Sequence, residues 1–444
     1  MHRFLTYAAF ALACSIASLQ VHATPQPDIN RPLTLVQLTD IALSNNPQTR
    51  IAWAMVRESR AGVELARAGY WPLVTASYGY QRNRQVTFTG TSAGAQTRYG
   101  PNISLSYLLW DFGNRSGTLD AAKFALAAAD LSNSQVMQDV ILEVEQDYYQ
   151  VLGLQALRDA DEQNLKDAQT SLDAARQRKN SGLATIGDVY QAEAAFAGAR
   201  LALQQTEGNL AVARGQLAIA AGYNADTKLT LAPWEPKIAP TLPDQTVTDL
   251  LKQARQTRPE LLASKAREQQ AVASLEATRG KGLPSLTLNA NAGRNTSIIG
   301  DTHTSTDSYS AGVTLSVPLF AGFGDQAAEH QAQAAVDIAQ ATTEQLQQQV
   351  ELEVWQAYQN VHTAAATLTT TDAQLKSAQQ ASDVTAARYQ NGLGSILDTL
   401  TAQATLANAR VQQVQARLNW FAALAALGHA VGGLSAPSAT SEQQ

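Results

Sequence analysis

The sequence predicts a mostly α-helical fold with a smaller β-sheet contribution, built from a duplicated helix–strand–strand–helix unit that supplies four strands. Three observations support this fold class: an internal repeat, two pairs of segments in which apolar and polar residues alternate, and helical stretches of unusual length. We expect a first repeat at 24–222, a linker or belt at 223–246, and a second repeat at 247–432.

The internal repeat is clearest where the long helices are predicted. Residues 140–151 align with residues 350–361, with seven identities in twelve positions. Residues typical of the ends of helices and strands also align between the two halves: Gly182 with Gly392, Asp188 with Asp398, Pro47 with Pro259, and Pro72 with Pro284. Agreement at such positions favours duplication over chance similarity between helices. The repeat is far longer than the roughly 20–50 residues of a solenoid unit, so each half is a complete structural layer.

The N-terminal segment 1–23 has the pattern of a secretory signal peptide, with a basic start, an apolar run and a small-x-small end before a cleavage expected after Ala23. A buried helix is the less favoured alternative. Lipid attachment at Cys14 is also disfavoured, because the apolar run continues past that residue. Cys14 is the only cysteine, so we expect a mature chain without disulfides. The segment 433–444 is rich in Ser, Ala and Thr and predicts a disordered tail.

Composition argues against several classes of function. The net charge is −6 at pH 7, whereas nucleic acid is bound through basic surfaces, so we expect no nucleic-acid partner. The histidines beyond the signal segment are scattered, and the sequence has no metal-binding His pair, Cys/His cluster or phosphate-binding glycine loop. We therefore expect no enzyme activity and no catalytic, metal or cofactor site.

Alternation of apolar and polar residues predicts four strands, at about 72–84, 98–110, 285–295 and 307–319. Pro72 and Pro284 each start one strand of a pair, where proline ends the preceding helix. The segments between paired strands, at about 85–97 and 295–307, are rich in Thr, Ser, Gly and Asn. They are expected to be exposed hairpin loops.

The same alternation would also fit a soluble sheet with one buried face, which is the commoner case. However, the strands are about ten residues long, the length that crosses a bilayer when tilted. Aromatic residues collect at the strand ends, as in the girdles of membrane barrels: Tyr70, Trp71, Trp110, Phe112, Phe320 and Phe323. Four strands cannot close a barrel, and open edges in a bilayer leave backbone groups unpaired. A membrane location therefore predicts an oligomer, and three copies would give twelve strands around a real lumen.

Long stretches without proline predict one helical hairpin in each half. The outgoing helices, at about 114–179 and 326–390, have about 65 residues each and would be roughly 100 Å long. The hairpin tips lie near 180–188 and 390–398.

The return helices are only about 35 residues long. We expect the first to stack end to end on a helix at 247–281, and the C-terminal one on a helix at about 33–69, so that a cylinder roughly 100 Å long forms. Apolar residues at steps of three and four predict a coiled-coil seam on the C-terminal helix: Leu397, Leu400, Ala404, Ala407, Val411, Val414 and Leu418. A free rod or tether is the alternative, but it would not need strands between its helices.

The duplicated layout, the Trp71-Pro72 and Leu283-Pro284 segments, and the hairpin tips resemble the TolC-type outer-membrane efflux protein family over about 33–430. Each motif is loose alone, but their order and duplication are specific. The resemblance implies a trimer with one twelve-stranded barrel in the outer membrane and a twelve-helix tunnel through the periplasm. Inward-coiling helix pairs would close the far end of the tunnel.

The resemblance also assigns roles at the tips, whose turns carry Gly182, Leu183, Gly392 and Leu393. Tyr389 matches a gate tyrosine that hydrogen-bonds the neighbouring hairpin, Asp188 matches its acidic partner, and Asp398 matches the first of two aspartates that ring the entrance. Thr401 stands where the second ring aspartate is expected and Gly394 where a gate arginine is expected. A weaker closed-state lock and a less acidic ring follow.

The tip residues also fit purely structural roles. Asp188 and Asp398 stand at the start of return helices, where acidic groups cap or stabilise the helix. Gly182 and Gly392 fit helix ends in the left-handed conformation. Capping and gating could coexist at the two aspartates.

The resemblance implies an outer-membrane exit duct of a tripartite efflux pump or type I secretion system. Such a duct is a passive channel, surrounded by outer-membrane lipid. It is opened at its periplasmic tip by an adaptor (membrane fusion) protein and an inner-membrane RND or ABC transporter. The alternative is a soluble periplasmic coiled-coil adaptor or scaffold protein, whose strands would need neither aromatic ends nor an oligomer. The sequence leaves open whether the cargo is a drug, a metal or a protein.

Overall fold

The computed structural model describes residues 31–84, 95–232, 245–299 and 301–433. The signal segment with Cys14, most of the predicted 85–97 loop, much of the 223–246 belt and the tail after 433 lie outside the described residues. The elements are α1 (Leu35–Asn45), α2 (Pro47–Ala68), β1 (Leu73–Asn83), β2 (Gln96–Trp110), α3 (Asn114–Asn180), α4 (Ile186–Ala220), α5 (Val247–Thr257), α6 (Pro259–Lys281), β3 (Ser285–Ile299), β4 (Thr302–Ser316), α7 (Gly324–Gln390) and α8 (Ile396–Ala430).

Both halves contain the same elements in the same order, which confirms the duplicated, mostly helical fold. Helices α3 and α7 have 67 residues each, and α4 and α8 have 35 each. A helix of 67 residues is about 100 Å long. Within the described ranges, none of the helices has a stretch long and apolar enough to cross a membrane.

The helices expected as single elements at about 33–69 and 247–281 are each broken in two. The breaks fall at Asn46 and Arg258, which precede Pro47 and Pro259 and have extended backbone with ψ of 130° and 116°. A proline ring disfavours the helical conformation of the preceding residue, so one helix stops there and the next begins with proline. The prediction of single helices was therefore wrong.

The residues at the two breaks also determine which helices stack. Asn46 Nδ2 donates to the Ala220 carbonyl at the end of α4, and Arg258 Nη1 donates to the Ala430 carbonyl at the end of α8, both at 3.0 Å. Each return helix therefore meets the first helix pair of its own half. The sequence-based stacking paired the two halves the other way and was wrong. The stacking prediction used helix lengths alone. In the structure the stacking follows instead from the donors that the unpaired carbonyls at each helix end require.

The long helices pack in two levels. Next to the sheet, α2, α3, α6 and α7 lie side by side in that order, and farther from it the order is α4, α3, α8 and α7. Helices α2 and α4 thus form one flank of the chain, and α7 forms the other. Two apolar clusters lie where the levels meet, one around Leu38, Val140 and Leu217 and the other around Val354 and Trp420. These clusters anchor both hairpins.

Helix α8 buries a different face from the predicted seam. Between 396 and 420 its buried residues are Ile396, Thr399, Leu406, Ala409, Ala416 and Trp420. The predicted seam residues Leu397 and Val411 are 59% and 39% exposed. The smaller members of this buried line, Thr399, Ala409 and Ala416, let α8 pack closely against α3 and α7. Larger apolar residues of the predicted seam, including Leu400 and Val411, instead border a cleft between α4 and α8.

The strands form one antiparallel sheet in the order β1-β2-β3-β4. Cross-strand partners share a face, so the register divides the sheet into two surfaces. The polar face carries small uncharged residues, such as Thr75, Ser77, Asn102, Ser104, Asn289, Asn291, Ser308 and Ser310. The apolar face carries Val74, Ala76, Tyr78, Ile103, Leu105, Leu288, Ala290, Tyr309 and Val313.

The second strand pair is longer at its turn than the sequence predicted. Strand β3 continues to Ile299 and β4 begins at Thr302, so most of the expected 295–307 loop is strand, and β4 ends at Ser316 rather than 319. The polar side chains that suggested a loop form cross-strand bonds instead. The hydroxyl groups of Thr296 and Ser305 share a hydrogen bond at 3.0 Å. On the apolar face, Arg294 of β3 forms a salt bridge with Asp307 of β4.

Candidate functional site at the hairpin tips

The two hairpin tips share one backbone geometry. Gly182 and Gly392 have φ of +71° and +75°, the left-handed conformation expected for both. In each tip the amide of the next leucine donates to the carbonyl five residues earlier, at 2.8 Å, and so closes the last turn of the outgoing helix. These leucines, Leu183 and Leu393, are 68% and 71% exposed. Each tip therefore presents an apolar side chain at its outermost point.

Asp188 and Asp398 both complete capping boxes. The N-cap residues are Thr185 and Ser395, and each aspartate is the third residue of its helix. Asp188 accepts from the Thr185 amide at 2.7 Å, and Asp398 accepts from the Ser395 amide at 3.3 Å. Hydrogen bonds with Ser395, with the nearby charge of Arg388, hold the pKa of Asp398 below its usual value. Asp398 therefore remains ionised at neutral pH, and its exposed charge faces solvent.

Tyr389 lies inside the tip rather than on its surface. It packs in an apolar cluster drawn from four helices, with Leu172, Ala175, Val189, Ala192 and Ile396. Burial raises the pKa of the Tyr389 hydroxyl, Arg178 opposes this shift, and the charge of Asp188 adds to it. The hydroxyl has no hydrogen-bond partner among the described residues. The structure thus brings Tyr389 near Asp188 without the hydrogen bond that the resemblance implied.

Arg178 is the residue that holds Tyr389, and the sequence did not single it out. Its guanidinium carbon lies 4.9 Å from the centre of the Tyr389 ring, and its Nη1 donates to the Tyr389 carbonyl at 2.7 Å. Because Arg178 belongs to the first hairpin and Tyr389 to the second, this contact joins the two tips. Cation–π attraction and a charged hydrogen bond act on the same residue.

A second polar tie joins the hairpins farther from the tip. Arg410 of α8 donates to Asn164 and Asp167 of α3, at 2.5 and 3.1 Å, and to Gln379 of α7 at 3.2 Å. Gln403, seven residues before Arg410, is hydrogen-bonded to a serine of α3 at 2.9 Å. The heptad pattern of α8 could have indicated these contacts between the hairpins. Both residues directly precede members of the predicted seam, positions that flank the contact line of a coiled coil.

Replacing Arg178 by alanine is expected to loosen the tips without unfolding the hairpins. Losing a charged hydrogen bond of about 2 kcal/mol should speed amide hydrogen exchange in both tips roughly thirtyfold. The matched control is Arg176→Ala, because Arg176 pairs with Glu193 of its own hairpin through exposed side chains at 2.8 Å. Hydrogen exchange read by mass spectrometry compares the two. Equal acceleration in both variants would contradict the role of Arg178.

The six predicted girdle aromatics lie where the helices join the sheet. Pro72 and Pro284 immediately precede β1 and β3. The rings of Trp110 and Phe112 meet edge to face with their centres 6.0 Å apart, and those of Phe320 and Phe323 do so at 5.4 Å. The guanidinium carbon of Arg115 lies 4.7 Å from the centre of the Tyr70 ring. All six side chains, including that of Trp71, are exposed in the single chain. They form a band of aromatic surface below the sheet.

No group of three or more His, Cys, Asp or Glu that could hold a metal ion occurs in the part of the chain that the structure describes. The chemistry of the tips is therefore that of charges, caps and packing. Asp398 is exposed, Asp188 is half-buried, and Tyr389 is buried inside the tip.

Comparison with known proteins agrees with this geometry. The family described as "Outer membrane efflux protein" matches residues 38–223 and 250–433, one segment in each half. Protein CyaE of Bordetella pertussis is 33% identical over 413 residues, covering 91% of this chain and 86% of that protein. The outer membrane protein TolC of Vibrio cholerae is 26% identical, covering 90% and 91%.

The solved structure of the outer-membrane channel OprN shares the fold, with a TM-score of 0.81 at 24% identity, covering 94% of this chain and 96% of that one. The family match takes in both repeats and therefore both tips, and it excludes the soluble adaptor considered from the sequence. Together with the duplicated hairpins and the four-stranded sheet, these similarities show that the chain belongs to the outer membrane efflux protein family.

Proposed function

We propose that three copies of this chain assemble into an outer-membrane exit duct with one twelve-stranded barrel and one helical tunnel. The observation that carries the proposal is the open sheet. Its edge strands β1 and β4 have 11 and 15 residues, each with a row of backbone groups that the sheet does not pair. In a bilayer each unpaired group would cost several kcal/mol. Pairing β1 of one copy with β4 of the next satisfies both edges, and three copies leave a lumen.

The protein is located in the outer membrane, with its helices in the periplasm. The apolar face of the sheet suits contact with lipid, and the polar face suits a water-filled lumen. The six aromatics below the sheet would form the periplasmic girdle, and tyrosines near the far end of the apolar face, such as Tyr78, Tyr80 and Tyr99, the outer one.

The flanks of the chain support the same assembly. Apolar side chains are exposed on both flanks: Ile51, Met55 and Leu65 on α2; Leu201, Val212 and Ile219 on α4; and Ile338, Leu352 and Trp355 on α7. Exposed apolar surface of this extent marks an interface in a folded protein. In a closed ring of three, the α2 and α4 flank of one copy would cover the α7 flank of the next.

The tips would form the periplasmic gate, with Tyr389 and Asp188 inside the closed tip and three Asp398 carboxylates around the entrance. A periplasmic adaptor and an inner-membrane RND or ABC transporter would engage the tips and separate the hairpins. The duct would serve a tripartite efflux pump or a type I secretion system. It would act as a passive channel rather than an enzyme, since the sequence has no catalytic motif.

Reconstitution in planar lipid bilayers tests this proposal. We expect a mass of three chains by native mass spectrometry and a conducting, cation-preferring pore, because carboxylate rings favour cations. Asp398→Asn should lower the cation preference about twofold. Ser395→Ala is the matched control, since it removes the capping bond but keeps the carboxylate. A monomer without conductance would refute the duct. A cation preference that Asp398→Asn leaves intact would refute the ring.

A further inference from the structure

Arg98 lies on the polar face of the sheet, near the end farthest from the helices. It pairs with Gln81 of β1 and Ser297 of β3, and partners in an antiparallel pair share a face. The helices join the strands at the opposite end, between Ala68 and Leu73 and between Trp110 and Asn114. With the helices in the periplasm, the end near Arg98 faces the cell exterior.

The guanidinium of Arg98 has no carboxylate partner within the described ranges. Its contact is the side chain of Gln96 on the same face. When the amide of Gln96 is oriented with its oxygen towards Arg98, that oxygen accepts from Nε and Nη2 at 3.0 Å each and from Ser297 Oγ at 3.0 Å. This neutral acceptor orients the guanidinium without cancelling its charge.

The acidic residues near the sheet are few. Across 73–110 and 285–316 the sequence has only Asp301 and Asp307. Asp307 belongs to the apolar face, where both of its oxygens accept from Arg294, at 2.6 and 2.9 Å. Asp301 lies in the turn after β3. The polar face of the strands therefore carries positive charge and no negative charge, although the whole chain has a net charge of −6.

We propose that Arg98 determines ion selectivity at the outer mouth, where one guanidinium from each of three copies forms a cationic ring that attracts small anions and opposes cations. This inference rests on the trimeric duct proposed above. Arginine keeps its proton at any physiological pH, and a charged ring in a narrow aqueous pore with low-dielectric walls acts strongly on passing ions. With Asp398 at the other end, the pore has opposite charges at its two mouths, and its current differs between the two voltage polarities.

Planar bilayers with a potassium chloride gradient test this ring. Arg98→Gln is expected to raise the potassium-to-chloride permeability ratio about twofold and to reduce the difference between currents at equal and opposite voltages. Arg98→Lys keeps the charge and should behave as the wild type. Arg82→Gln is the matched control, because Arg82 pairs with Thr97 on the apolar face, one position along the same hairpin.

The outcomes separate this inference from the proposal on which it rests. A wild-type protein that forms no pore overturns both. A pore whose selectivity is the same with arginine or glutamine at position 98 overturns only the outer ring and leaves the duct intact. An equal shift in Arg82→Gln also overturns the ring, since the effect would then not depend on the face of the sheet.

Discussion

Arg258→Met is expected to lower the free energy of unfolding by about 3–5 kcal/mol, because it leaves buried acidic partners without a cation. Arg258 is 4% exposed and lies at the break between α5 and α6. Its guanidinium bonds the Glu260 carboxylate, donates to Glu353 of α7 at 2.7 Å, and donates to the Ala430 carbonyl at the end of α8 at 3.0 Å. One side chain therefore joins three helices.

The expected loss comes from what the substitution leaves behind. Methionine has a similar length, so little space is opened, but Glu260 and Glu353 keep their charges without a cation. Glu260 is largely shielded from water, with a side chain 13% exposed. The Ala430 carbonyl also loses its donor, which adds the cost of an unpaired group at a helix end. An uncompensated charge at a buried site accounts for most of the effect.

Equilibrium unfolding of the protein in detergent by guanidinium chloride measures this loss of stability. The matched control is Arg255→Met, because Arg255 also reaches from α5 to α7, where it pairs with Glu351 at 2.8 Å through exposed side chains. That variant should lose no more than about 1 kcal/mol. Arg258→Lys should recover only part of the stability, since an ammonium cannot reach three acceptors as a planar fork does. Similar losses for Arg258→Met and Arg255→Met would contradict the account.

The helix breaks at Asn46 and Arg258 show which part of the fold the sequence did not predict. Pro47 and Pro259 were recognised as repeat markers, and proline breaks helices by a local rule, yet the sequence did not indicate what Asn46 and Arg258 would bond. The residue before the proline is the neutral Asn46 in the first repeat and the charged Arg258 in the second. The partner of each is a carbonyl more than 170 residues away. A contact at that separation leaves no periodic pattern, so the stacking order could not be deduced.

Local rules succeeded where the physics is local. The alternation of apolar and polar residues located the four strands, and the left-handed glycines marked both tips. The seam on α8 was misplaced because hydrophobicity alone favoured Leu397 and Val411, whereas close packing favoured the smaller Thr399 and Ala409. Arg178 went unnoticed because its partner Tyr389 belongs to the other repeat. The errors thus concern contacts between helices and the extent of some elements, at the proline breaks and the β3–β4 turn, rather than the type and order of the elements.

Gly117→Ala is expected to destabilise the protein by about 3 kcal/mol and to impair assembly, because α3 and α6 touch through their backbones just below the sheet. A Cβ at Gly117 would lie 2.6 Å from the amide nitrogen and 2.9 Å from the Cα of Ala277. Close by, a Cβ at Gly280 would lie 2.5 Å from the amide nitrogen of Asn114. Backbone atoms cannot move aside as a side-chain end can, so the two helices must separate.

Separation of these helices acts on the sheet as well. Helix α3 follows β2 and helix α6 precedes β3, and β2 and β3 are the central pair that joins the two repeats. Pushing α3 from α6 therefore strains the Trp110–Leu286 end of that pair, where the register already shifts. We expect less Gly117→Ala protein to be recovered as oligomer from membranes, in addition to a lower unfolding midpoint.

Two further glycines, one on α3 and one on α4, provide the comparison. Gly208 of α4 has no atom within 4 Å of an added Cβ, so Gly208→Ala should stabilise the helix by about 0.5–1 kcal/mol. The three atoms nearest to a Cβ at Gly153 would all belong to the side chain of Leu418, which can move more readily than a backbone, so Gly153→Ala should fall between the two. The order Gly117, Gly153, Gly208 in lost stability follows from what each Cβ meets: backbone, side chain or open space. Equal effects at Gly117 and Gly208 would mean that α3 and α6 have room to move apart, and the close backbone contact would then not hold the two repeats together.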